Sequence, residues 1–207
     1  MNDFRTEQEA FWAGEFGDDY IDRNSGTAKV ENNCVIWKEI LDHAPDARSI
    51  IEFGCNIGLN LQAIKRVRPD SDLVGYEINK KAAGICNDLG IGRIENASCI
   101  DRMDEPENGF DLAFTKGVLI HINPEALPVI YDQLHRLSRR YIVVCEYYNP
   151  SPMVVNYRDN TDRLFKRDFA GELMDRFDLE LVRYGFVYHR DPQAPQDDIT
   201  WFLLEKR

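Results

Sequence analysis

The feature that most constrains the fold of this sequence is a turn with two glycines between an apolar strand and a helix. The strand is predicted at residues 49–53, the glycines are Gly54 and Gly58, and the helix is predicted at residues 60–67. Glycine lets the backbone turn sharply and approach a ligand, because it has no Cβ. The helix then directs its unpaired N–H groups into the same space. This pattern favours an α/β protein with a nucleotide-type site; a plain tight turn is the alternative.

The rest of the chain alternates short apolar runs with amphipathic stretches. Further strands are predicted at residues 73–77, 94–97, 110–115, 141–147, 179–187 and 200–205, and further helices at residues 6–24, 30–43, 80–89, 124–137 and 168–177. Nearly continuous apolar strands separated by helices are typical of parallel sheets. The chain ends instead with two strands in succession. The pattern predicts one α/β domain with a doubly wound, mostly parallel sheet of seven strands.

Aromatic side chains recur near the N-terminus, and their spacing places most of them on one helical face. They are Phe11, Trp12, Phe16 and Tyr20. Gly14 and Gly17 interrupt the predicted helix and weaken it as a purely structural element. We therefore expect a helical cap that closes as a lid over the site and brings Tyr20 and Arg23 to it. An ordinary amphipathic helix that covers the sheet is the alternative.

Charge and composition exclude several classes of function. The formal net charge of −11 disfavours nucleic acid as a partner, since phosphate contacts depend on Lys and Arg. No apolar run approaches the ~20 residues that span a bilayer, and the acidic N-terminus lacks the features of a secretory signal. The five cysteines have no metal-binding spacing. We expect a cytoplasmic protein with reduced thiols, no metal and no membrane partner.

An acidic residue at the tip of the second predicted strand strengthens the interpretation of the turn. Glu77 lies 19 positions after Gly58. An acid at that distance accepts hydrogen bonds from both hydroxyls of a ribose, whereas a solvated strand-end carboxylate is the alternative. Together with Gly54, these residues predict a Rossmann-like nucleotide site.

Residues 52–58, Glu-Phe-Gly-Cys-Asn-Ile-Gly, resemble the first motif of class I S-adenosylmethionine-dependent methyltransferases. That motif is an acidic residue, any residue and then Gly-x-Gly-x-Gly. Asn56 stands in place of its middle glycine, and asparagine tolerates left-handed backbone. The resemblance implies that Glu52 lies near the amino group of S-adenosylmethionine. NAD-dependent oxidoreductases lack an acid there, which disfavours that class.

Two later segments resemble the same family in order. Residues 96–98 are similar to its adenine-contacting segment, and residues 110–122 are similar to its fourth-strand motif. The resemblance implies a cap or lid at residues 1–45, a cofactor-binding core at residues 46–147, and an acceptor-side loop, helix and strand pair at residues 148–207. The implied S-adenosylmethionine site comprises Arg23, Glu52, Gly54, Asn56, Gly58, Asn60, Glu77, Ile78, Asn96, Ala97, Ser98, Thr115, Lys116 and Val118.

A narrower resemblance concerns the acceptor. Residues 11–17, 20–24, 146–150 and 162–169 resemble a bacterial family of methylases associated with pseudaminic acid biosynthesis. The resemblance implies methyl transfer to a small anionic acceptor, a pseudaminic-type (nonulosonic) acid sugar or its nucleotide-linked precursor. A non-catalytic cofactor-binding scaffold and a methyltransferase of protein or RNA are the alternatives.

A basic stretch at residues 158–167 contains four cations and two acids within an acidic protein. Arginine side chains form paired hydrogen bonds with carboxylates and phosphates, so this stretch suits an anionic sugar, and a solvated loop is the alternative. The predicted substrate-binding residues are Tyr148, Tyr157, Arg158, Arg163 and Arg167.

An oxygen acceptor benefits from a general base. His121 follows the fourth predicted strand, and histidine suits proton removal near neutral pH. A helix cap or a buried core histidine is the alternative. Tyr147 is the second candidate catalytic residue, at the end of the fifth predicted strand, where it either lines the methyl site or packs as a plain core aromatic.

Overall fold

The computed structural model describes residues 4–156 and 163–207 of the chain. Its strands are β1 (Ser49–Phe53), β2 (Asp72–Tyr76), β3 (Arg93–Glu95), β4 (Phe110–Lys116), β5 (Ser138–Glu146), β6 (Met153–Val154), β7 (Phe165–Lys166), β8 (Leu179–Val187) and β9 (Ile199–Lys206). Its helices are α1 (Glu7–Ala13), α2 (Glu15–Arg23), α3 (Thr27–His43), α4 (Leu59–Val67), α5 (Lys80–Asp88), α6 (Leu127–Leu137) and α7 (Phe169–Arg176), with 3-10 turns at Leu119–His121 and Pro124–Ala126.

Seven strands form one sheet in the order β3-β2-β1-β4-β5-β9-β8. β1 to β5 are parallel, whereas β9 is antiparallel to both of its neighbours. The strand order reverses between β1 and β4, and ligands of such sheets bind beyond the carboxyl ends of the strands at that point. The prediction of a doubly wound, mostly parallel sheet of seven strands is confirmed.

Each face of the sheet is covered by helices, so the protein has two cores. On one face α3 and α4 bury Trp37 and Leu61, and the Trp37 ring lies 4.4 Å from that of Phe114 between ring centroids. On the other face α6 and α7 bury Leu134 and Phe169. Burial on both faces explains why Ile50, Ile51 and Phe53 of β1 are apolar, and it buries the acid Glu52 as well.

The N-terminal residues form two helices rather than one continuous helix. The break is at Gly14, which has an extended backbone conformation. Gly17 has a different role from the one expected, because a Cβ there would lie 1.9 Å from the carbonyl oxygen of Trp12 and 2.8 Å from Nδ2 of Asn79. Gly17 therefore allows close packing of α2 rather than weakening it.

Two further differences concern strand positions. β5 begins at Ser138, three residues before the predicted start, and its exposed residues Arg139 and Arg140 conceal the strand in the sequence pattern. The two-residue strands β6 and β7 pair with each other and lie within a stretch that has no regular sequence pattern. In the part of the chain that the structure describes, no helix combines the length and the apolar character needed to cross a bilayer.

Candidate functional site

The turn between β1 and α4 has a strained backbone that its residues are suited to adopt. Gly54, Asn56 and Gly58 have φ of 75°, 47° and 78°. A Cβ on Gly54 would lie 2.6 Å from Cγ2 of Val118, and one on Gly58 would lie 2.5 Å from Sγ of Cys86. Glycine is therefore required at both positions by conformation and by space, and asparagine is among the residues that tolerate the left-handed region.

Glu77 fixes this turn as well as lining the space in front of it. Its Oε2 accepts a hydrogen bond from the backbone N–H of Asn56 at 2.8 Å, and its Oε1 accepts one from the N–H of Asn79 at 2.7 Å. Asn96 donates from Nδ2 to the carbonyl oxygens of Glu77 and Ile78. Burial raises the pKa of Glu77, and the two N–H donors oppose that shift. The tips of β1, β2 and β3 are thus joined before any ligand binds.

Glu52 lies deeper, in a fully buried position at the end of β1. Its Oε1 accepts a hydrogen bond from Nδ2 of Asn60 at 2.6 Å, and Oδ1 of Asn60 in turn accepts one from Nε1 of Trp37 at 3.4 Å. Oε2 of Glu52 has no hydrogen-bond partner among the described residues. Burial raises the pKa of Glu52 to about 8. The carboxyl group is therefore mostly protonated at neutral pH.

A first cavity lies at the carboxyl edge of the parallel strands, under the N-terminal helices. Trp12, Tyr20 and His121 belong to its wall. The predicted cofactor residues that line this cavity are Gly54, Asn56, Glu77, Ile78, Ala97, Ser98, Lys116 and Val118. Residues from the tips of β1, β2, β3 and β4 thus share one cavity, as the switch point of the sheet requires.

The other predicted cofactor residues do not line this first cavity. They are Arg23, Glu52, Gly58, Asn60, Asn96 and Thr115. The guanidinium carbon of Arg23 lies 5.1 Å from the centroid of the Phe16 ring, and Thr115 is fully buried. Gly58 lies against the side chain of Cys86, and Asn96 donates a hydrogen bond from Nδ2 to the carbonyl oxygen of Glu77. Their predicted contacts with a cofactor remain predictions.

The N-terminal helices are attached to the cavity at two places. A capping box begins α1, in which Oγ1 of Thr6 accepts from the N–H of Glu9 and the Glu9 carboxylate accepts from the N–H of Thr6. The other oxygen of Glu9 accepts a hydrogen bond from Oγ of Ser98, in the loop after β3. Nδ2 of Asn79 donates to the carbonyl oxygen of Trp12 at 3.3 Å. The cap is therefore joined to the residues that line the cavity.

The loop after β4 is held by a buried acid at the end of β5. Glu146 ends β5, is 2% exposed, and accepts hydrogen bonds from the backbone N–H groups of Val118, Leu119 and Ile120 at 3.0, 3.1 and 3.4 Å. These groups begin the 3-10 turn at Leu119–His121, where a carboxylate is favourable. Burial raises the pKa of Glu146 to about 7. An acid that ends an apolar strand is the sequence signal for it.

His121 lines the first cavity, but its electrostatic environment makes it a weak base. Its Nδ1 lies 2.7 Å from the carbonyl oxygen of Arg163. A carbonyl oxygen only accepts, so Nδ1 carries the hydrogen and Nε2 is the basic nitrogen. Burial lowers the pKa of His121 to about 4, and its ring lies 4.5 Å from that of Trp12 between centroids. Tyr147 lines neither this cavity nor the second one, and Nζ of Lys166 lies 5.1 Å from its ring centroid.

The predicted substrate-binding residues that the structure describes lie outside both cavities. Arg167 pairs with Glu172 at 2.7 Å, between Nε and Oε1. The side chain of Arg163 extends toward α1, with Nη2 3.4 Å from Oε2 of Glu7. Tyr148 is 44% exposed. Tyr157 and Arg158 lie outside the described residues. The cationic stretch is thus partly occupied by acidic partners, and its binding role remains a prediction.

A second cavity adjoins the first between α3, α4 and the loop that joins β8 to β9. The two share Tyr20, Gly54, Asn56 and Lys116 in their walls. Of the other predicted site residues, Asn60 lines the second cavity. Sequence reasoning missed the remaining side chains, among them Lys29, Asn32, Asn33, His189 and Gln196. A long Pro- and Asp-rich loop at residues 189–198 was the available signal, because such loops are commonly functional.

Comparison with known proteins places this geometry in a known fold. The sequence matches no family model and none of the curated proteins. A Burkholderia thailandensis 1,6-didemethyltoxoflavin-N1-methyltransferase, solved with 1,6-didemethyltoxoflavin and S-adenosylhomocysteine, is similar with a TM-score of 0.71 and 14% identity over 96% of this chain and 86% of that chain. The magnesium protoporphyrin IX methyltransferase of Synechocystis PCC 6803, with bound S-adenosylhomocysteine, is similar with a TM-score of 0.73 and 11% identity over 97% and 100%.

A S-adenosylmethionine-dependent methyltransferase from Aquifex aeolicus is a further neighbour, with a TM-score of 0.64 and 12% identity over 93% of this chain and 100% of that chain. The chain therefore has the Rossmann-like α/β fold of S-adenosylmethionine-dependent methyltransferases. The fold class predicted from the sequence is confirmed. Identities this low extend the likeness to the fold, and the site residues provide the argument for function.

Proposed function

We propose that this protein is a S-adenosylmethionine-dependent methyltransferase that acts on a small acceptor. The observation that supports this most is the left-handed turn of Gly54, Asn56 and Gly58, held by the carboxylate of Glu77. The glycines at positions 54 and 58 let the backbone approach a ligand closely, and the Glu77 carboxylate beside them can accept hydrogen bonds from a ribose. This combination suits a nucleoside. The neighbours of the same fold were solved with S-adenosylmethionine or its product bound, which favours that nucleoside over others.

The residues of the first cavity fit the parts of this cofactor. Glu77 accepts from the ribose hydroxyls with lone pairs that its two N–H donors leave available. Ile78, Ala97 and Ser98 line the part of the cavity that suits the adenine ring. Gly54 leaves the space that a Cβ would fill. The bound cofactor supplies a methyl group on a positively charged sulfur, and the protein positions the acceptor and excludes water.

Glu52 is suited to the cationic amino group of the cofactor's methionine part. Its Oε2 is buried without a partner among the described residues. A nearby cation lowers the pKa of a buried carboxyl group, so binding converts Glu52 to its charged form. Asn60, which lines the second cavity and donates to Glu52, holds the carboxyl group in one orientation.

For the acceptor we propose an anionic sugar of the nonulosonic acid type, in keeping with the sequence resemblance. The net charge of −11 favours a small molecule over nucleic acid. Structural neighbours act on other small molecules, so the fold itself does not choose among acceptors. We also propose that residues 1–45 act as a lid over the core at residues 46–147, that residues 148–207 serve the acceptor, and that the protein is cytoplasmic.

Ligand binding tests the proposal directly. Calorimetry with S-adenosylhomocysteine and with NAD compares the two nucleoside classes, and we expect heat only with the former. Mass spectrometry of a nonulosonic acid extract incubated with protein and S-adenosylmethionine then detects methyl transfer. Binding of S-adenosylhomocysteine without methyl transfer to any acceptor would indicate a non-catalytic scaffold. Binding of NAD would contradict the proposal that the protein is an S-adenosylmethionine-dependent methyltransferase.

A further inference from the structure

The second cavity has a composition unlike that of the first. Carboxamide side chains dominate its polar wall. They come from α3, from the turn between β1 and α4, from α4 and from the loop after β8, and they include Asn32, Asn33, Asn56, Asn60 and Gln196. Carboxamides both donate and accept hydrogen bonds, as a polyhydroxylated ligand requires. Nε2 of Gln196 is buried and has no partner among the described residues. The wall therefore offers more hydrogen-bonding groups than the protein itself satisfies.

Two lysines contribute positive charge to the wall of this cavity, and Asp197 contributes negative charge. Nζ of Lys29 donates to Oδ1 of Asn24 at 2.6 Å, and Nζ of Lys116 donates to Oε1 of Gln196 at 3.2 Å. Both partners are neutral. Burial lowers the pKa of Lys29, Asp197 opposes that shift, and Lys116 adds to it by a smaller amount. An anionic ligand group would stabilise the charged form of both lysines.

The loop after β8 adds a histidine whose ring is oriented by an acid. Nδ1 of His189 lies 2.8 and 2.9 Å from the two carboxylate oxygens of Asp198, and the backbone N–H of His189 donates to the same carboxylate. The hydrogen bond from His189 lowers the pKa of Asp198, which is therefore charged at neutral pH. Nδ1 carries the hydrogen, so Nε2 is the basic nitrogen. A base oriented by a carboxylate is a recurring catalytic arrangement.

We propose that the second cavity is the acceptor site, that it binds a polyhydroxylated small molecule with a carboxylate or phosphate group, and that His189 removes the proton of the hydroxyl that is methylated. This inference rests on the proposed function, because it requires the cofactor to bind in the first cavity. The two cavities meet at Gly54 and Lys116, beside the turn between β1 and α4. The hydroxyl proton moves to Nε2 of His189. The oxygen pair forms a bond to the methyl carbon, whose bond to sulfur breaks and leaves its electron pair on the sulfur. Asp198 is a positioning residue.

The assignment replaces His121 as the base for a physical reason. His121 is almost wholly buried and has a pKa near 4, whereas the side chain of His189 is 51% exposed and contacts a carboxylate. Charged groups near His189 among the described residues include Lys29, Lys116 and Asp197 in the same wall, Lys166, which acts on Asp198, and the next two residues of the chain, Arg190 and Asp191. The acceptor's anionic group then lies with the lysines and its reacting hydroxyl with His189.

Binding experiments test the cavity first. In the presence of S-adenosylhomocysteine, calorimetry compares N-acetylneuraminic acid and inorganic phosphate with the neutral sugar N-acetylmannosamine. We expect the sugar acid to bind if a carboxylate is the anionic group and phosphate to bind if a phosphate is, with no binding of the neutral sugar. Lys29→Met should weaken anion binding roughly tenfold or more, and Lys38→Met, on the exposed part of the same helix, should not.

The outcomes separate this inference from the proposed function. Failure of the wild-type protein to bind S-adenosylhomocysteine contradicts the proposed function. Normal cofactor binding without binding of either anion overturns the acceptor site alone. A tenfold loss of S-adenosylhomocysteine affinity in Lys29→Met also overturns it, because the lysine would then hold the cofactor's own carboxylate.

A second set of variants tests the base. His189→Gln should lower methyl transfer to N-acetylneuraminic acid roughly 100-fold or more. His43→Gln, at the far end of α3, is the matched control. Asp198→Asn should change the tautomer of His189, read from its nitrogen-15 chemical shifts without any turnover. Wild-type rates in His189→Gln, or an unchanged tautomer in Asp198→Asn, would overturn the assignment.

Discussion

The carboxylate of Glu146 and the backbone N–H of Val118 are joined by a hydrogen bond of 3.0 Å that connects the ends of two adjacent parallel strands. Val118 also fills the space beside Gly54. Glu146, a buried acid at the end of β5, therefore positions the loop after β4 against the turn between β1 and α4.

Replacing Glu146 with glutamine tests this connection. The carboxamide places N–H donors against the backbone N–H groups of residues 118–120, which leaves a buried donor without an acceptor. We expect a loss of about 1–3 kcal/mol in the free energy of unfolding and a several-fold loss of S-adenosylhomocysteine affinity. Urea unfolding and calorimetry measure the two. Glu205→Gln removes a surface ion pair with Arg140 and should change stability by less than about 1 kcal/mol.

The buried acid Glu52 predicts an unusual pH dependence of stability. Its pKa in the folded protein is about 8, above the ordinary value of a free glutamate, because burial disfavours the charge. The folded state thus holds the proton more tightly, so its contribution to stability is fully present below about pH 4.5 and is lost as the pH rises through about 8. Glu146, with a raised pKa of about 7, acts in the same direction.

Glu52→Gln keeps an acceptor for Asn60 and cannot ionise. We expect it to raise the free energy of unfolding at pH 8 by on the order of 3 kcal/mol and to change it little at pH 5. The same variant should bind S-adenosylhomocysteine less well, because it lacks a charge for the amino group. Thermal unfolding at the two pH values provides the measurement. Equal effects of the substitution at both values would contradict the shifted pKa.

Glu77 holds the turn and is the proposed acceptor of the ribose hydrogen bonds, so its removal should have two separable effects. Glu77→Ala should abolish measurable cofactor binding and also destabilise the protein, because the N–H of Asn56 loses its acceptor. Glu77→Gln keeps one acceptor oxygen and should lower S-adenosylhomocysteine affinity roughly 10- to 100-fold with a smaller loss of stability. Calorimetry on both variants checks the expectation. Undiminished affinity in Glu77→Ala would refute the assigned role.

Two glycines provide a matched test of the turn geometry. Gly54→Ala forces a Cβ to 2.6 Å from Cγ2 of Val118 at a φ of 75°, and we expect about 2–3 kcal/mol of destabilisation together with loss of cofactor binding. Gly84→Ala lies on α5, where a Cβ meets nothing within 4 Å. It should stabilise the protein by roughly 0.5–1 kcal/mol. Urea unfolding of the pair measures both, and equal effects would sink the steric argument.

The sequence predicted the sheet well because parallel strands are buried on both faces and therefore contain runs of apolar residues. It also predicted the turn and Glu77, since glycine spacing and a strand-end acid are local signals. Start positions such as Ser138 were missed where exposed arginines extend a strand beyond its apolar part.

The polar side of the site depended on information that no local pattern contains. Lys29 and His189 are far apart in sequence and meet in one cavity only through packing of α3 against the loop after β8. His121 was selected for its position after β4, but its burial, which lowers its pKa, follows from the N-terminal helices that cover it. The basic stretch at residues 158–167 looked available as a charge cluster, whereas Arg167 pairs with Glu172 in the fold.

The bond between Ser98 and Glu9 bears on turnover. Together with the bond from Asn79 to Trp12 it joins the N-terminal helices to the wall of the first cavity, and in the proposed enzyme that wall opens for the spent nucleoside to leave. Chemistry in the closed cavity and departure through the opened one are then separate events. From the proposed function we expect a rapid first round of product followed by a slower steady rate, and we expect Ser98→Ala to speed the second phase and leave the first unchanged.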